Sequence, residues 1–88
     1  MELNKVKAMA KFVLTTRSNV PMGGGQSPIP QGEKIVVNIN TFGVTPTNLF
    51  SNPASREALF RQLQNKGYDF GKADVLFNRS GYFQVKEL

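Results

Sequence analysis

Between Ser18 and Gly32 the chain carries Gly23-Gly24-Gly25 and prolines at positions 21, 28 and 30, and this tract constrains the fold more than any other. Proline removes a backbone donor and fixes φ, while successive glycines add conformational freedom, so neither a helix nor a central strand runs through it. It reads as a flexible Gly/Pro loop over residues 18–32. On its N-terminal side, Ala8 to Thr16 alternates Ala10, Phe12 and Leu14 with Lys11, Val13 and Thr15, and Arg17 continues the polar side. On its C-terminal side, Glu33 to Asn40 alternates Ile35, Val37 and Ile39 with Val36, Asn38 and Asn40. Alternation of this kind belongs to strands with one buried face, so the tract joins two strands in one sheet, as a wide hairpin or as neighbours.

A second connection, Thr41 to Ser51, contains Gly43 and Pro46, and its Phe42, Val44, Leu49 and Phe50 are expected to pack on the core. The helix after it is specified at both ends. Asn52 is a favoured N-cap, and Pro53 stands at the first helical position, where its missing N–H leaves no bond unmade. Leu59, Phe60 and Leu63 form the apolar stripe, and Glu57 and Arg61 are spaced as an i,i+4 pair. Gly67 supplies a left-handed C′ residue, with Tyr68 at C″ packing back on Leu63. The helix is therefore expected over about Pro53 to Lys66, too short to stand alone and obliged to lay its stripe on the sheet. Ala73 to Phe77 suits either a short strand or a helical turn. After turn chemistry at Asn78 to Gly81, Tyr82 to Leu88 alternates again and reads as a final strand.

These elements give a β-β-α-β-β order and an α+β class: a three- to four-stranded, mainly antiparallel sheet covered on one face by a single helix. At 88 residues the chain is one small domain, 1–88.

Chemistry is narrowed by what is missing. There is no Cys and no His, which removes thiolate and imidazole nucleophiles, bases and metal ligands. The acids Glu2, Glu33, Glu57, Asp69, Asp74 and Glu87 are dispersed without paired spacing, so no catalytic or metal-ligating set is expected, and no cofactor. Gly23-Gly24-Gly25 lacks the following Lys-Ser/Thr and helix start of a phosphate loop. Asp69-Phe70-Gly71 copies a kinase tripeptide in a chain too short for kinase lobes, and Asn78-Arg79-Ser80 matches a glycosylation acceptor by chance in a turn. Met1 to Arg17 is interrupted by charges, so no secretory or spanning segment is expected and the location is read as cytoplasmic.

The balance of 11 Lys and Arg against 6 Asp and Glu gives a net charge of +5. Strand parity then sends Lys11, Thr15, Arg17, Asn38, Asn40, Tyr82, Gln84 and Lys86 to the sheet face opposite the helix. Such a face suits DNA or RNA: cations for phosphates, Tyr82 to stack on a base, and amides to reach base edges. Lys11, Arg17, Asn38, Asn40, Tyr82, Gln84 and Lys86 are the candidate site residues. The chain is accordingly read as a non-enzymatic basic binding module. The alternative is a protein-interaction or self-associating module, because Ile35 to Ser55 holds no ionisable side chain and an open sheet edge would pair with another chain or with a copy of itself.

Three strings carry a family likeness: Pro30-Gln31-Gly32-Glu33-Lys34-Ile35-Val36-Val37, Asn52-Pro53 before the helix, and Gly67-Tyr68-Asp69-Phe70-Gly71-Lys72-Ala73 leading to Tyr82-Phe83-Gln84-Val85. On these the chain resembles small single-domain proteins of unknown function from Bacteroidetes genomes and mobile elements. The resemblance implies an accessory role on mobile DNA and carries across no activity, ligand or site residue.

Overall fold

The alternating segments form a three-stranded antiparallel sheet in a computed structural model, which describes residues 9–22 and 25–88. β1 (Met9–Thr16) is the central strand, flanked by β2 (Lys34–Asn40) on one side and β3 (Phe83–Glu87) on the other. Register follows the apolar parity: Phe12 lies opposite Val37 and Leu14 opposite Ile35 on the β2 side, while Leu14 meets Val85 on the β3 side. One face therefore gathers Phe12, Leu14, Ile35, Val37, Ile39 and Phe83, all buried. A one-residue slip would turn this whole set to water, so burial itself fixes the pairing.

Helix α1 (Pro53–Asn65) covers that face, with Leu59 and Leu63 fully buried. The Asn52 side chain accepts from the Ala54 and Ser55 N–H groups at 2.9 and 3.2 Å. At the other end Gly67 takes φ +97°, its N–H donates to the Gln64 carbonyl, and the Tyr68 N–H donates to the Leu63 carbonyl at 2.8 Å. This is the Schellman pattern expected from the sequence. The i,i+4 pair also forms, with Arg61 3.2 Å from Glu57.

Three features differ from the sequence expectation. Ala73 to Phe77, open between strand and helical turn, is helical: α2 (Ala73–Arg79) buries Leu76 and packs beside α1. The covering layer thus holds two helices rather than one, the order is β-β-α-α-β, and no fourth strand occurs among the described residues. The last strand starts one residue later than expected, because Ser80–Tyr82 continues α2 as a 3-10 turn. Gly/Pro chemistry also does not leave residues 18–32 wholly unstructured. Val20 and Ile29 exchange two backbone hydrogen bonds, of 2.8 and 3.0 Å, and both are buried in the core. The buried Thr16 hydroxyl ties this connection down further, donating to the Pro30 carbonyl at 2.7 Å and accepting from the Glu33 N–H at 2.8 Å.

The uncharged run from Ile35 to Ser55 sends Ile35, Val37, Ile39, Val44, Leu49, Phe50 and Ser55 into the core and leaves many of its other residues exposed. Phe50 also stacks on Phe83, with ring centroids 5.6 Å apart. Among the described residues no helix is long and apolar enough to cross a membrane.

Candidate nucleic-acid interface

Both helices lie on one side of the sheet, so the other side is left open by the described residues. Its residues follow from the register. Lys11 lies opposite Asn38, Val13 between Val36 and Lys86, Thr15 between Lys34 and Gln84, and Asn40 opposite Met9 at the far end. Lys11, Lys34, Asn38, Asn40, Gln84 and Lys86 are exposed there. From strand spacing and rise, the Cα atoms of Lys11, Lys34 and Lys86 form a triangle with sides of roughly 8, 12 and 14 Å. At the centre of the face a depression of about 410 Å³ is lined by Val13, Thr15, Lys34, Gln84, Lys86 and Leu88. It sets two ammonium groups beside a hydroxyl and a carboxamide, a donor set that matches a phosphate with its adjoining sugar.

The described acids all lie elsewhere. Glu33 and Glu87 share the parity of the core face, Glu57 is on α1, Asp74 on α2, and Asp69 in the turn between the helices. The Asp69 carboxylate accepts from the Gly71 N–H and the Gln64 side chain, so Asp69-Phe70-Gly71 serves as a turn with Phe70 in the core. Burial and the neighbouring Glu33 carboxylate raise the Tyr68 phenol above its ordinary pKa. That pair ties the end of α1 to the start of β2 on the covered side, since Tyr68 donates to Glu33 at 3.3 Å.

Five of the seven residues expected on this face are there: Lys11, Asn38, Asn40, Gln84 and Lys86. Tyr82 is not. It sits in the 3-10 turn, half-buried and packed against the core, so it offers no free ring for stacking. Arg17 is turned aside as well. Its backbone N–H pairs with Tyr82, and its Nε donates to the Phe83 carbonyl at 3.3 Å, which draws the guanidinium to the edge of β3. Lys34 is the residue that sequence reasoning missed. It shares parity with Asn38 and Asn40, so the signal was present one position into the same strand. Among the described residues no aromatic side chain belongs to the strand positions of the open face, and no group of three or more acidic residues is placed to hold a metal ion.

No family model matches the chain, and no curated protein or solved structure matches it either.

Proposed function

We propose that the protein is a non-enzymatic nucleic-acid-binding module that grips the phosphate backbone with the open face of its sheet. One observation carries the reading: Lys11, Lys34 and Lys86 share a face with Thr15, Asn38 and Gln84 while every described acid is placed elsewhere. Cations without local counter-charges are free to displace the counter-ions condensed on nucleic acid, which makes binding favourable and salt-dependent. With Tyr82 drawn into the 3-10 turn and packed against the core, affinity comes from phosphate and sugar contacts rather than base stacking, so binding is tolerant of sequence. The apolar floor of Val13, Val36 and Leu88 would lie against sugars.

Fluorescence anisotropy with a labelled mixed-sequence oligonucleotide at low salt tests the reading. The parent chain is expected to bind, and Lys11→Glu with Lys86→Glu to abolish binding while the circular dichroism spectrum is unchanged. A parent chain that fails to bind single- or double-stranded oligonucleotides removes it.

A further inference from the structure

The two edges of the sheet are finished differently. In β2 the pairing leaves the backbone groups of Lys34, Val36, Asn38 and Asn40 turned outward, since Glu33 is bonded to Thr16. There Gln62 from α1 obstructs the middle of the edge at Asn38: its Oε1 accepts from the Asn38 N–H at 3.0 Å, and its amide donates to the Asn38 carbonyl. In β3 the bonds from Arg17 N–H to Tyr82 and from Leu88 N–H to Lys11 turn even-numbered residues toward β1. Phe83, Val85 and Glu87 therefore face outward, and among the described residues the Val85 and Glu87 backbone groups meet no partner. An open edge of this kind is a template for another strand.

A cavity of about 390 Å³ runs along this edge, lined by Arg17, Phe50, Phe77, Phe83 and Val85 among others. Phe77 is 54% exposed, and Arg17 is the only charged residue in the lining. We infer that a second copy of the chain docks here, β3 pairing antiparallel with β3 to make a continuous six-stranded sheet. This interface stands apart from the nucleic-acid reading and does not depend on it.

Charge selects both the occupant and the register. Outward-facing residues must pair with each other, so the two-fold axis falls at Val85 or one position to either side of it. With Val85 opposite Val85, Gln84 faces the other copy's Lys86, and Glu87 lies opposite Phe83. The Phe83 carbonyl is the group that anchors Arg17. Each copy's Glu87 is thus delivered beside the other's Arg17, on the core-face side where the cavity lies, and the symmetry makes the ion pair twice. The Phe83 carbonyl has two lone pairs and serves Arg17 and the incoming Glu87 N–H together. Moving the axis toward the C-terminus sets Lys86 against Lys86. Moving it the other way asks Gly81, next to the 3-10 turn's Tyr82, to act as a strand residue. The Val85 register alone brings opposite charges together; the Phe83 N–H stays with the Ser80 carbonyl, so each Phe83–Glu87 pair makes one backbone bond and the central Val85 pair makes two.

Sedimentation velocity up to about 1 mM, where even a weak contact registers, is expected to show a reversible dimer. Glu87→Arg should raise the dimer dissociation constant about tenfold, since two ion pairs become two repulsions, and Arg17→Glu on the same chain should restore it. The chain lacks cysteine, so register is read directly. Gln84→Cys mixed with Lys86→Cys should oxidise to a crossed heterodimer in preference to either homodimer, because facing non-hydrogen-bonded residues lie within disulfide reach. A parent chain monomeric at the highest concentration overturns the inference. So does a dimer indifferent to Glu87→Arg, or equal cross-linking in all three combinations.

Discussion

Removing Lys34 and Lys86 together, as Lys34→Gln with Lys86→Gln, tests the open face quantitatively. Both flank the same depression and both are exposed, so glutamine keeps much of the aliphatic stem and the fold while deleting two charges. Each phosphate neutralised contributes about −0.9 to the slope of log K against log salt on duplex DNA and about −0.7 on a single strand. Three facing lysines give about −2.7 on duplex, so raising salt from about 50 to 200 mM weakens binding roughly fortyfold. With two removed, the slope contribution falls to about −0.9 and the loss to about three- to fourfold. Lys5 and Lys7 lie outside the described residues, and any contribution from them cancels in the difference, which should be about 1.8 on duplex and 1.4 on a single strand. Anisotropy titrations at four or five salt concentrations measure it. Arg17→Gln is the internal control: its guanidinium is held at the β3 edge, so the slope should not change. An unaltered slope in the double variant, or a fall in Arg17→Gln as large as that of a facing lysine, refutes the placement of the cationic surface.

Stability offers further tests. Gly67→Val should cost about 1 kcal/mol or more, read as a lower melting temperature, because a β-branched residue resists the φ of +97° at the helix C′ position. Asn52→Ala should cost about 1 kcal/mol by denaturant titration, through loss of the two capping bonds. Ser55→Ala should raise stability by up to about 1 kcal/mol, since the Ser55 hydroxyl is fully buried with no hydrogen-bond partner among the described residues and alanine suits a helix better. Tyr68 gives a pH dependence. Its pKa is raised in the fold by burial and then by Glu33, so above pH 10 the unfolded chain releases the phenolic proton before the folded one does. The contribution present below pH 10 is therefore lost as pH rises toward the folded pKa, and Tyr68→Phe should flatten that alkaline decline in thermal melts.

The helix from Asn52 to Tyr68 was legible because its signals are local: cap, stripe and left-handed glycine all fall within a few residues of what they control. Strand parity was legible for the same reason, and it placed Lys11, Asn38, Asn40, Gln84 and Lys86. Arg17 was not, since its direction depends on β3 being the neighbour of β1, a long-range fact that parity along one strand does not contain. α2 lacked a capping signal, because Lys72 precedes it without a side-chain cap bond, and Asp74 in its first turn with Arg79 in its last are weak signals beside the burial of Leu76 against the core. Tyr82 followed from that helix: its continuation as a 3-10 turn takes the ring out of the sheet. Val20 and Ile29 were single apolar residues among prolines, with no period to reveal that they bridge each other.

Amide chemical-shift mapping during titration with a mixed-sequence oligonucleotide reads the binding surface residue by residue. Shifts concentrated on Lys11, Thr15, Lys34, Asn38, Gln84 and Lys86, with α1 and α2 undisturbed, are the predicted result. Shifts confined to the helices, or a spectrum unchanged at low salt, would contradict the account.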